Sequence, residues 1–162
     1  DLAIVIPVLN EAENIAPLLE EIDTALGDRS GYDVIVVDDG SSDATAAVLE
    51  ACRERYPQLL VLRHAASRGQ SAAIVSGVDA AERCWIATLD GDGQNDPADI
   101  PRLLEKIDEG YHVVSGWRKD RKDAHLSRVI PSKAANWLIS KISGIKLHDY
   151  GCSLKAYRKD VL

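Results

Sequence analysis

Short, uninterrupted apolar runs alternate along this chain with longer stretches in which apolar residues recur every three or four positions. The runs are Leu2-Ala-Ile-Val-Ile-Pro7, Asp33-Val-Ile-Val-Val-Asp38, Leu59-Leu-Val-Leu62, Cys84-Trp-Ile-Ala-Thr-Leu89 and His112-Val-Val-Ser115. Strands covered on both faces read this way, whereas a half-exposed strand alternates apolar with polar. After the first run, Ile15, Leu18, Leu19, Ile22 and Leu26 share one face of a helix predicted over 11–26, with Asn10 as its cap. A helix from Ser41 or Ser42 to about Glu54 follows the second run, and a helix rich in small residues from Gly69 to Glu82 follows the third. A fourth, over 97–109, takes Asp96 as N-cap and Pro97 in its first turn, and stops at Gly110. This alternation predicts an α/β fold: a mostly parallel central sheet with helices on both faces, and ligands at the carboxyl ends of the strands. Past Gly116 the pattern changes to a basic stretch, an amphipathic helix near 127–143, and a final stretch over 149–157.

A chain of 162 residues suits a single domain with a real core. Cys52, Cys84 and Cys152 are odd in number and lack CxxC spacing. A disulfide scaffold or zinc site is therefore not expected, and a reducing compartment is. Asp1 runs straight into an apolar strand, which predicts no signal peptide, and no apolar run approaches the roughly 20 residues that span a bilayer. The expectation is a chain that lies against a membrane, or one whose anchor follows Leu162. The net charge of −7 conceals a basic segment over 118–148. There Arg118, Lys119, Arg121, Lys122, Arg128, Lys133, Lys141 and Lys146 face only Asp120 and Asp123, a balance that suits an anionic partner or a solvated face.

Three polar clusters each follow a strand: Asn10-Glu11, Asp38-Asp39-Gly-Ser-Ser-Asp43, and Asp90-Gly91-Asp92. A parallel sheet gathers these ends on one rim, where carboxylates repel unless a cation, a cap or a hydrogen bond compensates them. Ser41 and Asp43 read as helix caps. Asp90 and Asp92, flanking one glycine after a buried strand, can point at a single Mg²⁺ or Mn²⁺, hard ions that prefer oxygen and keep positions open for phosphates. Such an ion bridges a diphosphate and neutralises a leaving group. Rival patterns fail. An EF-hand loop starting at Asp90 needs Gly and Glu where Asn95 and Pro101 stand, and neither a dinucleotide fingerprint nor a P-loop is present. A phosphatase-type Asp-x-Asp usually follows the first strand of its fold, and here it follows the fourth. A plain surface turn stays open.

Pro7-Val-Leu-Asn-Glu11, Val37-Asp-Asp-Gly-Ser-Ser-Asp43-x-Thr45 and Leu89-Asp-Gly-Asp-Gly-Gln94, in this order and spacing, resemble the family 2 glycosyltransferases. Val114-Ser-Gly-Trp-Arg118 and His148-Asp-Tyr-Gly-Cys-Ser-Leu-Lys-Ala-Tyr-Arg158 resemble its polyprenyl-phosphate branch, the dolichol-phosphate mannose synthases and bacterial undecaprenyl-phosphate sugar transferases, including the aminoarabinose type. The resemblance covers essentially the whole chain. It implies a GT-A nucleotide-diphospho-sugar transferase fold, with residues 1–95 as the nucleotide-sugar half and 96–162 as the acceptor half. Pro7, Leu9 and Glu11 would line the nucleoside pocket and Asp39 would hydrogen-bond the base. Asp90 and Asp92 would hold the metal, with Gly91 between them, and Gln94 would lie near the sugar or diphosphate. Arg118, Arg128 and Lys133 would face the phosphates of donor and acceptor. The implied partners are a UDP- or GDP-sugar, a polyprenyl phosphate and the cytoplasmic face of the membrane, with no nucleic acid; relatives include homo-oligomers. One departure is visible: many members carry Asn where Ser67 or Arg68 stands before Gly69.

Proton chemistry favours the phosphate acceptor. A sugar hydroxyl needs a general base, whereas a phosphate monoester, with a second pKa of about 6, is already ionised near neutrality. The segment after Gly116 offers Arg and Lys, with Asp149 the one candidate for a base. Trp137 and Leu138, in a stretch without acidic residues from Ala124 to His148, suit either an anionic bilayer or packing on the sheet. The alternatives are a saccharide acceptor, a nucleotide-sugar-binding module without turnover, and nucleotidyltransferase chemistry.

Overall fold

The computed structural model describes residues 1–27, 31–116 and 152–162. The five apolar runs form β1 (Leu2–Val8), β2 (Tyr32–Asp38), β3 (Leu59–Arg63), β4 (Trp85–Thr88) and β5 (Val113–Ser115). Between them lie α1 (Ala12–Leu26), α2 (Thr45–Arg53), α3 (Gln70–Ala80) and α4 (Ile100–Asp108). A 3-10 turn, Pro97–Asp99, leads into α4, and Asp96 caps it by accepting a hydrogen bond from the Ala98 N–H at 2.9 Å. The basic segment 118–148 and its predicted helix near 127–143 lie outside the described residues.

The sheet has six strands in the order β3-β2-β1-β4-β6-β5. β1 pairs in parallel with β2 and β4, and β2 with β3. The sixth strand, β6 (Lys155–Arg158), is an addition to the sequence expectation: it runs antiparallel between β4 and β5. Its four residues, Lys-Ala-Tyr-Arg, contain no apolar run and carry no strand signal alone. The sheet is thus mostly parallel, with one returning strand inserted beside β4.

Alternation along each strand sends successive side chains to opposite faces, and this sorts the core into two layers. Leu2, Ile4, Ile6 and Val8 of β1 join Val34 and Val36 of β2 against α1, Leu49 of α2 and Ile100, Leu103, Leu104 and Ile107 of α4. On the other face, Ala3, Val5, Ile35, Val37 and Ile86 pack against Ala73 and Ala81 of the α3 region. The small residues of α3 have a steric cause. A Cβ on Gly77 would run into the Val5 side chain, so Ala73, Gly77 and Ala81, four apart, let the helix lie close on β1 and β2.

Two expected caps are corrected. Asn10 does not cap α1; it adopts φ 59°, and its side chain turns to the loop after β2. Neither Ser41 nor Ser42 caps α2, which begins at Thr45, because Ser41 is spent on the first loop. Asp43, one residue before the N-cap Ala44, accepts from the Thr45 N–H at 2.9 Å.

Candidate active site

Two loops at the carboxyl end of the sheet brace each other. The Asn10 N–H donates to Ser41 Oγ, and Asn10 Oδ1 accepts from the Ser42 N–H, both at 2.9 Å, and from the Asp43 N–H at 3.3 Å. In return the Glu11 N–H donates to Thr45 Oγ1 at 2.9 Å and the Ala12 N–H to Asp43 Oδ2 at 3.4 Å. The second loop thus supplies acceptors to N–H groups at the start of α1, and Asn10 supplies one to the loop just ahead of α2. Hydrogen bonds from Thr45, side chain first and then backbone, hold the Asp43 carboxyl below its ordinary value.

The neighbouring carboxylates Asp38 and Asp39 are separated by direction. Asp38 is fully buried; its Oδ1 accepts from the Ser41 N–H at 2.8 Å, and Arg63 Nε lies 3.2 Å from Oδ2. Asp39, 3% exposed, turns the other way and organises the loop between β3 and α3. It accepts from the backbone N–H of Arg68 at 2.9 Å and of Gly69 at 2.8 Å, from Ser67 Oγ at 2.8 Å and from His64 Nδ1 at 2.6 Å. These donors, the Arg68 N–H foremost, outweigh burial and hold Asp39 far below the usual carboxylate range. A carboxylate can only accept, so His64 carries its proton on Nδ1. His64 Nε2 lies 3.0 Å from Ser76 Oγ of α3.

The third cluster leaves β4. Asp90 Oδ1 accepts from Gln70 Nε2 at 2.6 Å, and Asp92 Oδ1 accepts from the Gln94 N–H at 3.0 Å. Gly91 lies flat against the end of β1, where a Cβ would come within 2.6 Å of Val8 Cγ1. That contact ties the acidic turn to the strand that carries Pro7 and leads into Leu9.

The three strand ends and the start of α3 enclose one cleft with a cavity volume of about 260 Å³. Pro7 at the end of β1 and Leu9 and Glu11 just after it line the cleft, with Asp39 just after β2 and Asp90, Gly91 and Asp92 after β4. Gln94 does not line it; it is exposed and serves Asp92 through its backbone. Ser67, Gly69 and Gln70 line it too and were not anticipated, although a glycine starting a helix on this rim was the available signal. Arg118, Arg128 and Lys133 lie outside the described residues.

The donor set fits a hard divalent cation. Among the described residues no group of three or more His, Cys, Asp or Glu converges as a metal cage. Two carboxylates on the wall of an open cleft suit Mg²⁺ or Mn²⁺, which keep several positions for water and substrate phosphates.

Solved structures share this architecture. A mannosyltransferase from Pyrobaculum calidifontis, in complex with GDP-Man and Mn²⁺, superposes with a TM-score of 0.74 at 22% identity, covering 99% of this chain and 45% of that one. Glucosyl-3-phosphoglycerate synthase from Mycobacterium tuberculosis, in complex with UDP, gives 0.76 at 21% identity, covering 99% and 57%. The fold is thus the GT-A fold. Residues 3–162 match the model of glycosyl transferase family 2, and the chain belongs to that family. It is 42% identical over 167 aligned positions to dodecaprenyl-phosphate galacturonate synthase of Rhizobium johnstonii, covering 100% of this chain and 49% of that protein. It is 41% identical to undecaprenyl-phosphate 4-deoxy-4-formamido-L-arabinose transferase of Klebsiella pneumoniae, covering 99% and 49%. The chain spans about half the length of these curated relatives.

Proposed function

We propose that this chain is the catalytic domain of an inverting glycosyltransferase that moves a sugar from a nucleoside-diphosphate donor to a polyprenyl phosphate. The observation that carries the reading is the convergence of Pro7, Leu9, Glu11, Asp39, Asp90, Gly91 and Asp92 on one cleft at the carboxyl end of the sheet. The similarity to two polyprenyl-phosphate sugar transferases supports the acceptor class.

In this reading Pro7 and Leu9 give the nucleoside an apolar wall. Asp39 fixes the Ser67–Gly69 backbone that closes the cleft beside α3. Its carboxylate already holds several donors, so its contribution to the base is to shape the pocket, with any direct bond added to that network. Asp90 and Asp92 would hold Mg²⁺ or Mn²⁺, which supplies charge neutralisation for the departing nucleoside diphosphate. The acceptor phosphate, ionised at neutral pH, attacks the anomeric carbon from the side opposite the leaving group. One C–O bond forms, the C–O bond to the diphosphate breaks, and its electron pair leaves with the nucleoside diphosphate. No general base is required. Arg118, Arg128 and Lys133 are the proposed counter-charges for the phosphates, and the cytoplasmic face of a membrane is the proposed place of work. Among the described residues no helix is long and apolar enough to cross a membrane.

The test is product analysis. The full-length protein is incubated with undecaprenyl phosphate and a panel of labelled UDP- and GDP-sugars. A lipid-linked, acid-labile sugar phosphate is expected; label transferred only to a soluble glycan contradicts the acceptor assignment.

A further inference from the structure

The proposed reaction makes no use of His64, yet its side chain is only 9% exposed and is engaged at both ring nitrogens. Strand register explains its place. The His64 N–H donates to the Asp38 carbonyl at 2.9 Å, so the pairing of β3 with β2 runs one residue past Arg63. Alternation then puts His64 on the face of Leu62 and Asp39 on the face of Val37, which is the face that α3 covers. Ser76 meets His64 from α3 beside the tightest point of that contact, since a Cβ on the next residue, Gly77, would run into Val5 and Val37. The loop between His64 and α3 is packed as closely. A Cβ on Gly40 would stand 2.8 Å from the backbone of Ala66 and Ser67.

His64 gives its Nδ1 proton to Asp39 Oδ1, which leaves Nε2 to accept from the Ser76 hydroxyl. Asp39 also accepts the Arg68 and Gly69 N–H groups just ahead of α3. One buried carboxylate therefore holds α3 at two points, directly at its N-terminus and through His64 at Ser76. Gln70 and Ser76 are six residues apart, about 9 Å along the helix axis. The fully buried residues of α3 are Ala73 and Gly77, which have little side chain to bury, so apolar packing resists sliding of the helix only weakly. The start of α3 is also a wall of the site: Gly69 and Gln70 line the donor cleft, and Gln70 bonds Asp90. Neither His64 nor Ser76 lines that cleft, so the Asp-His-Ser series does not face a substrate there, and its influence on the cleft passes through α3.

We propose that His64 is a positioning residue of the donor cleft: it relays Asp39 to Ser76 and so fixes the place of α3, and with it the wall that Gly69 and Gln70 present to the nucleotide. The inference rests on the reading of this cleft as a nucleoside-diphosphate site. It assigns a role to a buried imidazole and a helix hydroxyl that do not touch the ligand.

The experiment titrates UDP and GDP with Mn²⁺ into the full chain and into Ser76→Ala, His64→Asn and His64→Phe by calorimetry, well below each melting temperature. Ile107→Val, a core change in α4 on the opposite face of the sheet, is the control for stability alone. Ser76→Ala cuts one arm of the relay and should weaken the nucleotide by about fivefold, the scale of one hydrogen bond. His64→Phe keeps the bulk, loses both arms and should weaken it by about tenfold. His64→Asn, whose amide nitrogen can stand in for Nδ1, should restore the affinity to that of Ser76→Ala. Ile107→Val should melt lower and bind as the unaltered chain does. Nitrogen-15 NMR of the unaltered chain should show a proton on His64 Nδ1. A bare Nδ1, or nucleotide affinity unchanged in Ser76→Ala and His64→Asn, overturns the relay, and these two variants carry the test if His64→Phe does not fold. Affinity that falls in Ile107→Val in proportion to its melting temperature also overturns it. Failure of the unaltered chain to bind either nucleotide instead overturns the donor-site reading on which the relay rests.

Discussion

Gln70 Nε2 donates a hydrogen bond to Asp90 Oδ1 at 2.6 Å, joining the first residue of α3 to the acidic turn after β4. The contact crosses from the helix that closes the donor cleft to the carboxylate proposed to hold the metal. Gln70→Ala removes the donor that aims Asp90 without altering any charge. Metal-dependent nucleotide affinity should fall by roughly fivefold, the scale of one hydrogen bond of about 1 kcal/mol, with the melting temperature unchanged. Calorimetry of the variant checks this, and an affinity equal to that of the unaltered chain contradicts the positioning role.

The bracing of the two loops should appear as stability. Asn10 combines a left-handed backbone with a side chain that accepts from Ser42 and Asp43. Asn10→Ala loses both, at a cost of about 1–2 kcal/mol by analogy with cap losses and the strain of positive φ. Asn10→Gly relieves the backbone but not the side-chain loss, and should fall between the two. Urea denaturation of the three proteins gives the order directly.

The Asp39 network predicts a pH dependence with a definite sign. Its carboxyl titrates below its unfolded value of about 3.9, so it contributes stability at higher pH and loses it as pH falls through the folded value. Unfolding free energy should therefore decline as pH is lowered below about 4, and Asp39→Asn should flatten that part of the profile. An unchanged acid limb in Asp39→Asn contradicts the account.

Much of this was legible in the sequence because burial writes itself into composition. β1 is buried along its whole length, and an uninterrupted apolar run was its signature. The acidic turn was legible for the same reason, since Asp90 and Asp92 interrupt a run that ends in Leu89. What stayed hidden depends on partners distant in the chain. Asn10 looked like a local cap because nothing nearby shows that its acceptor serves N–H groups more than 30 residues away. β6 was unreadable because it borrows its pairing from β4 and β5 and has no apolar run of its own. Gln70 carries no charge, so its place beside Asp90 emerges only when the sheet brings α3 and β4 together.

The central claim is that the cleft binds a nucleoside diphosphate through a cation held at Asp90 and Asp92. Calorimetric titration of UDP and GDP, each with and without Mn²⁺, into this chain and into Asp92→Ala tests it most directly. One nucleotide should bind in a Mn²⁺-dependent manner, and Asp92→Ala, folded because the side chain is exposed and outside the core, should lose that dependence. Binding that is independent of Mn²⁺, or equal in Asp92→Ala, contradicts the claim.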